Sequence, residues 1–344
     1  KQKARTWPLN NYTDKENQRL YNISMDFNSL KKIVITGSDG LIGSNLSKHF
    51  LSQGHSVIGI DNQSRYGDIG REHHTHKNFK FIINSVLDIN ANNLPTEIDL
   101  FIHCAYDIGG INYWNHSETE FYSNNRSISL AVISLLLNKK DSIDKIIWFS
   151  SSQVYENTNI FPTPELSVDN LYPSSGYARE KLDSERELMS SPIKDKTVIV
   201  RPFNVVGKEG LYIPSNQRGH VVVDLAKKIA ECRGIVPITL QGRDQHTRTF
   251  TTSEDLIDAV NMLADSIQHG IYNICGNKEL SIAELAAMMW RITYDTPPQI
   301  EWINKDVDRD VKRRIGSTEK LIQDTGQHLK NNLEKHLKEI INEI

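Results

Sequence analysis

Tyr177 and Lys181 stand four positions apart, the spacing at which a helix brings two side chains onto one face. A lysine ammonium beside a phenol stabilises the tyrosinate, lowering the phenol's pKa toward that of a base able to take a hydroxyl proton. A Tyr-x-x-x-Lys pair by itself is common by chance, so its company decides what it means. Upstream, Ser150, Ser151 and Ser152 follow the apolar run Lys145–Phe149, which has the length of a strand. Strand C-terminal ends are where open α/β sheets bind ligands.

A second group of residues has a separate chemical use. The apolar run Ile33-Val34-Ile35 leads into Thr36-Gly37-Ser38-Asp39-Gly40-Leu41-Ile42-Gly43, and a helical pattern follows over Ser44–Gln53. In a strand–turn–helix of this kind Gly37 permits the tight turn, Gly40 lets the backbone approach a pyrophosphate, and Gly43 allows close helix packing. The helix start offers unpaired N–H groups and a positive dipole to phosphates. Asp61 closes the next apolar run, His55–Ile60, at about the 20-residue distance expected of a carboxylate that accepts from an adenosine ribose hydroxyl. Such a carboxylate repels a 2′-phosphate, which favours NAD over NADP, with Arg65 nearby as a contrary sign. Expected cofactor contacts are Gly37, Asp39, Gly40, Leu41, Ile42, Gly43, Asp61, Asn62, Asp88 and Ala105, together with Tyr177 and Lys181. Asp88 suits an adenine amino group, with a solvated loop aspartate as the competing reading.

These residues require a particular scaffold. Further runs of strand length lie at Phe79–Ile83, Leu100–Cys104 and Thr197–Val200, and helix-length segments separate most of them. Strands alternating with helices predict an α/β, Rossmann-type doubly wound parallel sheet covered on both faces. After Arg201 the texture changes to Gly/Pro/Asn-rich loops, short strands near Ile238 and Tyr272, and helices at Val221–Arg233, Ser253–Ser266 and Ser281–Ile292. A smaller mixed C-terminal substrate domain is expected. The predicted division is an N-terminal extension over 1–30, an NAD-binding domain over 31–205, a mainly substrate-binding domain over 206–330 from which segments can return to the first, and a C-terminal helix over 331–344. The whole stretch Ser317–Ile344 carries Leu321, Leu329, Leu333, Leu337 and Ile341 at helical spacing and reads as a packed amphipathic helix.

Composition excludes several classes. Charged residues make up 24% and the net charge is −3, so neither a nucleic-acid-coating surface nor a polyacidic tail is favoured, and no nucleic-acid partner is expected. No apolar run has the ~18 residues needed to span a bilayer, and no membrane partner is expected. Cys104, Cys232 and Cys275 match no metal-ligand spacing, which predicts no metal and a reducing cytoplasm. Cys104, at a predicted strand end, reads as a small buried residue rather than a nucleophile.

In order and spacing, the glycine motif, Phe149-Ser-Ser-Ser-Gln-Val-Tyr155, Tyr177-Ala-Arg-Glu-Lys181, Arg201-Pro-Phe-Asn-Val-Val-Gly207 and Gln245-His-Thr-Arg-Thr-Phe250 resemble the extended short-chain dehydrogenase/reductases, specifically their nucleotide-sugar epimerase/dehydratase group. The resemblance covers roughly Lys31 to Gln323. It implies that Ser151, four before Tyr155, bonds the reacting sugar hydroxyl, that Tyr177 is the base, and that Lys181 is its partner and holds the nicotinamide ribose. It further implies that Asn204 contacts the nucleotide diphosphate and that Arg248 binds phosphate. Lys312 and Arg314 are candidates for the same anion, with a solvated basic face over Arg309–Arg314 as the alternative reading. The family's shared step is removal of hydride from a sugar carbon onto NAD, giving a ketone that acidifies neighbouring C–H bonds.

The second step distinguishes the members. Dehydratases of the group carry Asp-Glu directly after the catalytic Ser or Thr, where this chain has Ser152-Gln153, which disfavours a 4,6-dehydratase of that type. Tyr106-Asp-Ile-Gly109-Gly110-Ile-Asn112, and Ile213-Pro-Ser-Asn216 followed by His220, resemble segments of GDP-mannose 3,5-epimerases and GDP-fucose synthases. Those enzymes use a cysteine where Gln153 stands, and glutamine cannot act as a base. His220 matches its proton-transfer partner; otherwise it is a helix-start histidine without a chemical task. Gly109, Gly110, Ser152, Gln153, Asn204, Arg248, Lys312 and Arg314 are the expected substrate contacts. The expected function is an NAD-dependent epimerase of a nucleotide-activated sugar. Alternatives on the same fold are a dehydratase, decarboxylase or reductase, and the alternative of another class is a non-catalytic NAD-sensing protein. The resemblance also implies a homodimer through the helices at 124–138 and 177–189. The first of these carries Ile128, Leu130, Ile133, Leu135 and Leu137, too apolar for a solvent-bathed helix.

Overall fold

Seven parallel strands make the central sheet: β1 Lys32–Thr36, β2 Ser56–Asp61, β3 Phe79–Ile83, β4 Ile98–His103, β5 Ile143–Phe149, β6 Thr197–Pro202 and β7 Gly270–Ile274, in the order β7-β6-β5-β4-β1-β2-β3. The computed structural model describes residues 30–108, 118–213, 220–241, 246–303 and 311–344. Alternate residues of each strand point to opposite faces. Ile33, Ile35, Ile102, Ile147 and Val198 therefore join one apolar cluster, and Val34, Phe101, Ile146 and Ile199 join another across the sheet. Because both faces are buried, the strands are continuous apolar runs rather than alternating ones.

Helix α1 (Leu41–Ser52) covers the first face through Leu46 and Phe50. On the second face α2 (Glu118–Asn138) contributes Val132, Ile133 and Leu136, and α3 (Gly176–Met189) contributes Leu188. Helix α4 (Val221–Cys232) follows in the smaller region, and α5 (Ser253–Ser266) returns to pack Leu256, Val260 and Leu263 on the first face beside Leu46. The doubly wound sheet is as expected. Two short segments differ: among the described residues β2–β3 is linked by a loop with the 3-10 turn Glu72–Thr75, and β3–β4 by the 3-10 turns Val86–Asp88 and Ala91–Asn93, not by full helices.

The smaller region is built on α4, α6 (Ile282–Thr293) and α8 (Leu333–Asn342), whose Ile229, Leu285, Trp290, Leu337 and Ile340 share one core. Short strands Ile238–Gln241 and Ile300–Ile303 pair beside it, as do Glu279–Ser281, Thr247–Thr249 and Arg313–Arg314. Within the 206–330 stretch, β7 joins the central sheet, pairing with β6 along its full length, and α5 packs on that sheet. The amphipathic stretch expected over Ser317–Ile344 divides into α7 (Glu319–Thr325) and α8. Gly326, at φ +70°, ends α7 in the left-handed conformation, and Leu321 and Leu337 enter different cores. Residues 31–344 form one unit, and no described helix is long and apolar enough to cross a membrane.

The strand order reverses at β1, which lies between β2 and β4. A crevice opens at that switch point outside the strands' C-terminal ends. The candidate chemical residues sit at or beyond those ends, on the first turns of the helices there, or on the smaller region facing them.

Candidate active site

A cleft of about 1730 Å³ occupies the crevice, against the ~300–1,000 Å³ of a pocket for one small ligand. Its size suits a dinucleotide and a second nucleotide together. At its floor the chain turns at Gly37, whose φ is +72°. A side chain there would put its Cβ 2.8 Å from the Ala105 amide nitrogen at the end of β4. At Gly43 a Cβ would lie 2.0 Å from the Gly37 carbonyl oxygen, so only glycine lets α1 begin so close to the turn. Gly40 caps α1 without a side-chain bond, and Leu41, Ile42 and Gly43 line the cleft with the helix's first N–H groups. That helix start, with the dipole behind it, fits a pyrophosphate.

Asp61 is bound to the turn from the tip of β2: its carboxylate accepts the Asp39 N–H at 3.0 Å and the Gln63 N–H at 2.7 Å. Burial raises its pKa, and those two bonds oppose the rise. Further lone pairs of the carboxylate are available to a ribose. Asn62, Ala105 and Arg65 also line the cleft, and Arg65 Nη1 donates to the Ile108 carbonyl at 2.8 Å.

The catalytic set converges from β5 and α3. Ser151 lies just past β5, and its hydroxyl accepts the Gln153 N–H at 3.1 Å and bonds Tyr177. Ser175 caps α3, and Glu156 accepts from the Ser174 and Ser175 hydroxyls and from the Ser175 N–H, fixing where the helix that carries Tyr177 begins. Lys181 is buried, donates to the Phe149 carbonyl at 2.7 Å, and has its Nζ 5.7 Å from the Tyr177 ring centre. Desolvation pushes the Tyr177 phenol up to about 12, while the Ser151 bond and Arg314 pull it down. The expected agent of that lowering was Lys181. In the structure the serine and the arginine take that role, because the ammonium is turned toward Phe149 and Tyr106. Burial also drives Lys181 well below an ordinary lysine.

Opposite, the smaller region presents Arg248 and Arg314, which are register partners on adjacent short strands and both line the cleft. Arg248 is nearly buried and donates to the Thr247 carbonyl at 2.8 Å and the Lys312 carbonyl at 3.3 Å. Two guanidinium groups side by side favour an anion between them. Asn204, at φ +37°, donates to the Thr249 carbonyl at 2.7 Å and lines the cleft between the two regions. Ser152 and Gln153 are buried cleft residues, and the Gln153 side-chain oxygen has no hydrogen-bond partner. His220 stands at the N-cap of α4 and reaches the cleft while keeping solvent exposure.

Three expected contacts stand elsewhere. Asp88 is exposed at the end of the 3-10 turn Val86–Asp88, and Asn84, Ser85, Val86 and Leu87 face the cleft in its place. The turn is anchored by Val86 in the core, which swings Asp88 outward. The Asp39 side chain turns from the cleft to His74 Nε2 at 2.8 Å and His73 Nε2 at 3.5 Å. Burial alone would raise Asp39; the two histidines and Gln63 outweigh it. These three side chains are close enough to hold a metal, yet Arg71 donates to the Asp39 carbonyl at 2.7 and 3.1 Å, so the cluster reads as a brace of the glycine turn. Lys312 is exposed and supplies only its carbonyl to Arg248. Gly109 and Gly110 lie outside the described residues, as do Pro214–Asn216 and Arg309.

Several residues of the site escaped the sequence reading. Buried Asn125 on α2 donates to the Asp107 carbonyl at 2.9 Å and accepts its N–H at 2.8 Å, fixing the loop after β4. Glu118 accepts the Gly176 N–H at 2.7 Å beside Tyr177. Only the apolar flank of α2 hinted at these two. Cys104 lines the cleft, and burial pushes its thiol up, as suits the small buried residue expected there rather than a nucleophile.

A doubly wound parallel sheet with a glycine turn at its switch point and a Ser–Tyr–Lys set beside it defines a dinucleotide-dependent enzyme. The family model described as the NAD dependent epimerase/dehydratase family matches residues 33–275, and the chain belongs to this family. Its cofactor is NAD. The chain is 28% identical over 282 residues to the UDP-N-acetyl-alpha-D-glucosaminuronate decarboxylase of Bacillus cytotoxicus, covering 77% of this chain and 81% of that one. It is 24% identical to UDP-glucuronic acid decarboxylase 1 of Xenopus tropicalis, covering 83% of this chain and 65% of that protein's length. In fold it is similar to the UDP-N-acetylglucosamine 4-epimerase of Methanobrevibacter ruminantium, with TM-score 0.79, 23% identity and coverage of 91% and 98% of the two chains.

Proposed function

We propose that the chain is an NAD-dependent epimerase that inverts C4 of a nucleotide-activated sugar through a transient 4-keto intermediate. The observation that carries this reading is Gln153. It is 7% exposed, lines the cleft two residues after Ser151, and cannot act as a base. Ser151 and Tyr177, hydrogen-bonded to each other, suit a single sugar hydroxyl: Ser151 orients it and the Tyr177 phenolate accepts its proton. Bound NAD supplies the hydride acceptor and returns the hydride. Rotation of the ketone between the two hydride transfers inverts the carbon without any second base. Arg248 and Arg314 hold the diphosphate, and Asn204 lines the same cleft.

His220 in the cleft favours a second reading, proton exchange at C3 or C5 beside the ketone. The relatives named as decarboxylases add loss of carbon dioxide as a third outcome to be tested. The experiment incubates the purified chain with catalytic NAD and a panel of UDP-, GDP-, CDP- and dTDP-sugars, and follows products by mass and NMR. A C4-epimer pair at unchanged mass, with no net NADH, is expected. Loss of water or carbon dioxide, or accumulating NADH, would replace the epimerase reading. No turnover with any member would favour NAD sensing.

A homodimer through α2 and α3 and a cytoplasmic setting complete the proposal. The two helices pack together, Leu130 of α2 is 41% exposed, and Cys104, Cys232 and Cys275 are free thiols. Light scattering at micromolar concentration is expected to give twice the chain mass; a monomer would refute the dimer.

A further inference from the structure

Glu180 sits between Tyr177 and Lys181 on α3, and its side chain is fully buried against α2. One carboxylate oxygen accepts the Ser129 hydroxyl at 2.5 Å, and the other has no hydrogen-bond partner. Ser129 has one proton and gives it to the carboxylate. With Glu180 ionised, Tyr106 is the donor in its 2.9 Å contact with Ser129 Oγ, and Ser184 offers the same phenol a second partner. The chain of bonds Tyr106 to Ser129 to Glu180 pushes electron density toward the Tyr106 ring. That ring faces Lys181, whose Nζ lies 2.7 Å from its centre. A ring face enriched in electron density attracts an ammonium.

A buried carboxylate with an unpartnered oxygen is costly unless a charge compensates it. The charged groups around Glu180 are Arg126 on α2 and Lys181 and Asp183 on α3, with the Tyr106 and Tyr177 phenols also facing it. Burial raises the Glu180 pKa, and Lys181 is the first of the groups that oppose it, ahead of Ser129 and of Arg126, which is also engaged by Glu187 at 2.6 Å. Conversely, burial drives Lys181 toward its neutral form, and Glu180 is the first of the groups that oppose it.

We propose that Glu180 is a positioning residue of the catalytic set: its charge keeps the buried Lys181 protonated, and through Ser129 it holds the Tyr106 ring against that ammonium. The proposal rests on the reading that Tyr177 and Lys181 serve the reaction, and its test does not depend on knowing the substrate. Removing the charge makes Lys181 lose its proton at lower pH. It also eases ionisation of Tyr177, which Glu180 raises. Both limbs of a pH profile then move the same way, toward acid.

The test measures NAD affinity of the full chain by calorimetry across pH 5.5 to about 9.5, for wild type, Glu180→Gln and Glu180→Asp. Where a sugar nucleotide is turned over, the rate profile is recorded as well. For Glu180→Gln the inflection is expected about one pH unit lower, in the range by which a neighbouring opposite charge moves a buried group. Glu180→Asp is expected to keep the wild-type position. Superimposed Gln and wild-type inflections would overturn the proposal, whereas wild-type NAD binding without turnover would sink the epimerase reading alone. Should Glu180→Gln fail to fold, Tyr106→Leu, lacking ring and hydroxyl, is expected to give the acid shift, and Tyr106→Phe, which keeps the ring but loses the bond to Ser129, a smaller one; a Leu variant matching wild type would equally overturn it.

Discussion

Arg201 and Glu185 form a two-pronged ion pair with neither side chain exposed: Nε lies 2.9 Å from Oε1 and Nη2 lies 2.5 Å from Oε2. The pair joins the end of β6 to α3 one turn beyond Lys181. The third guanidinium nitrogen donates to the Tyr155 hydroxyl at 2.7 Å, and Tyr155 in turn donates to Asn273 on β7. The catalytic helix is thus held to two strands by one buried network.

Cutting that network at one end leaves a buried charge uncompensated. Arg201→Met is expected to destabilise the fold by about 3–5 kcal/mol, read as a lower midpoint in urea unfolding. A change within about 0.5 kcal/mol would mean that the pair contributes only packing.

Tyr177→Phe is expected to lower turnover by about 10²–10⁴-fold while NAD affinity is retained. Ser151→Ala removes a bond that lowers the Tyr177 phenol, already pushed up to about 12 by burial. The phenol pKa then rises, the phenolate fraction falls at every pH below it, and the rate at a fixed pH near 8 drops, with the ascending limb displaced to higher pH. A limb that moves to lower pH, or does not move, would contradict the role of Ser151.

A methyl group at residue 43 would meet the Gly37 carbonyl at 2.0 Å, with backbone on both sides. Gly43→Ala is expected to cost about 1–3 kcal/mol of stability and to weaken NAD binding, since α1 must withdraw from the turn. Calorimetry that returns wild-type NAD affinity would show that the helix start does not hold the pyrophosphate.

Arg248→Met preserves the aliphatic stem and removes one of the two guanidinium groups that the smaller region presents to the cleft. The KM for the sugar nucleotide is expected to rise about 10- to 100-fold, and NAD affinity is expected to stay. Equal losses of both would place Arg248 in the fold rather than at the diphosphate.

The features legible in the sequence are those set by short spacing. Gly37, Gly40 and Gly43 mark a turn because each works within one strand–helix junction, and Tyr177 and Lys181 share a face by helix geometry. The first six strands were visible as apolar runs because both faces of a parallel sheet are buried. Residues placed by distant contacts were not visible. Strand β7 follows two helices and a change of texture, and nothing local shows that it returns to pair with β6. Asp88 is an acid at a strand end, as a contact should be, but the core anchor of Val86 sends it to solvent. Arg71 and Glu180 are charged residues in polar stretches, and their burial depends on Asp39 and Ser129, respectively 32 and 51 positions away.

Isotope exchange at the sugar is the most direct test of inversion at C4. The purified chain is incubated in D2O with the sugar nucleotide it converts, and both epimers are examined by mass and NMR. Inversion at C4 with no solvent deuterium on carbon is predicted, because the hydride leaves and returns through NAD and Gln153 cannot act as a base. Deuterium at C3 or C5 would contradict it and would make His220 the proton-transferring residue.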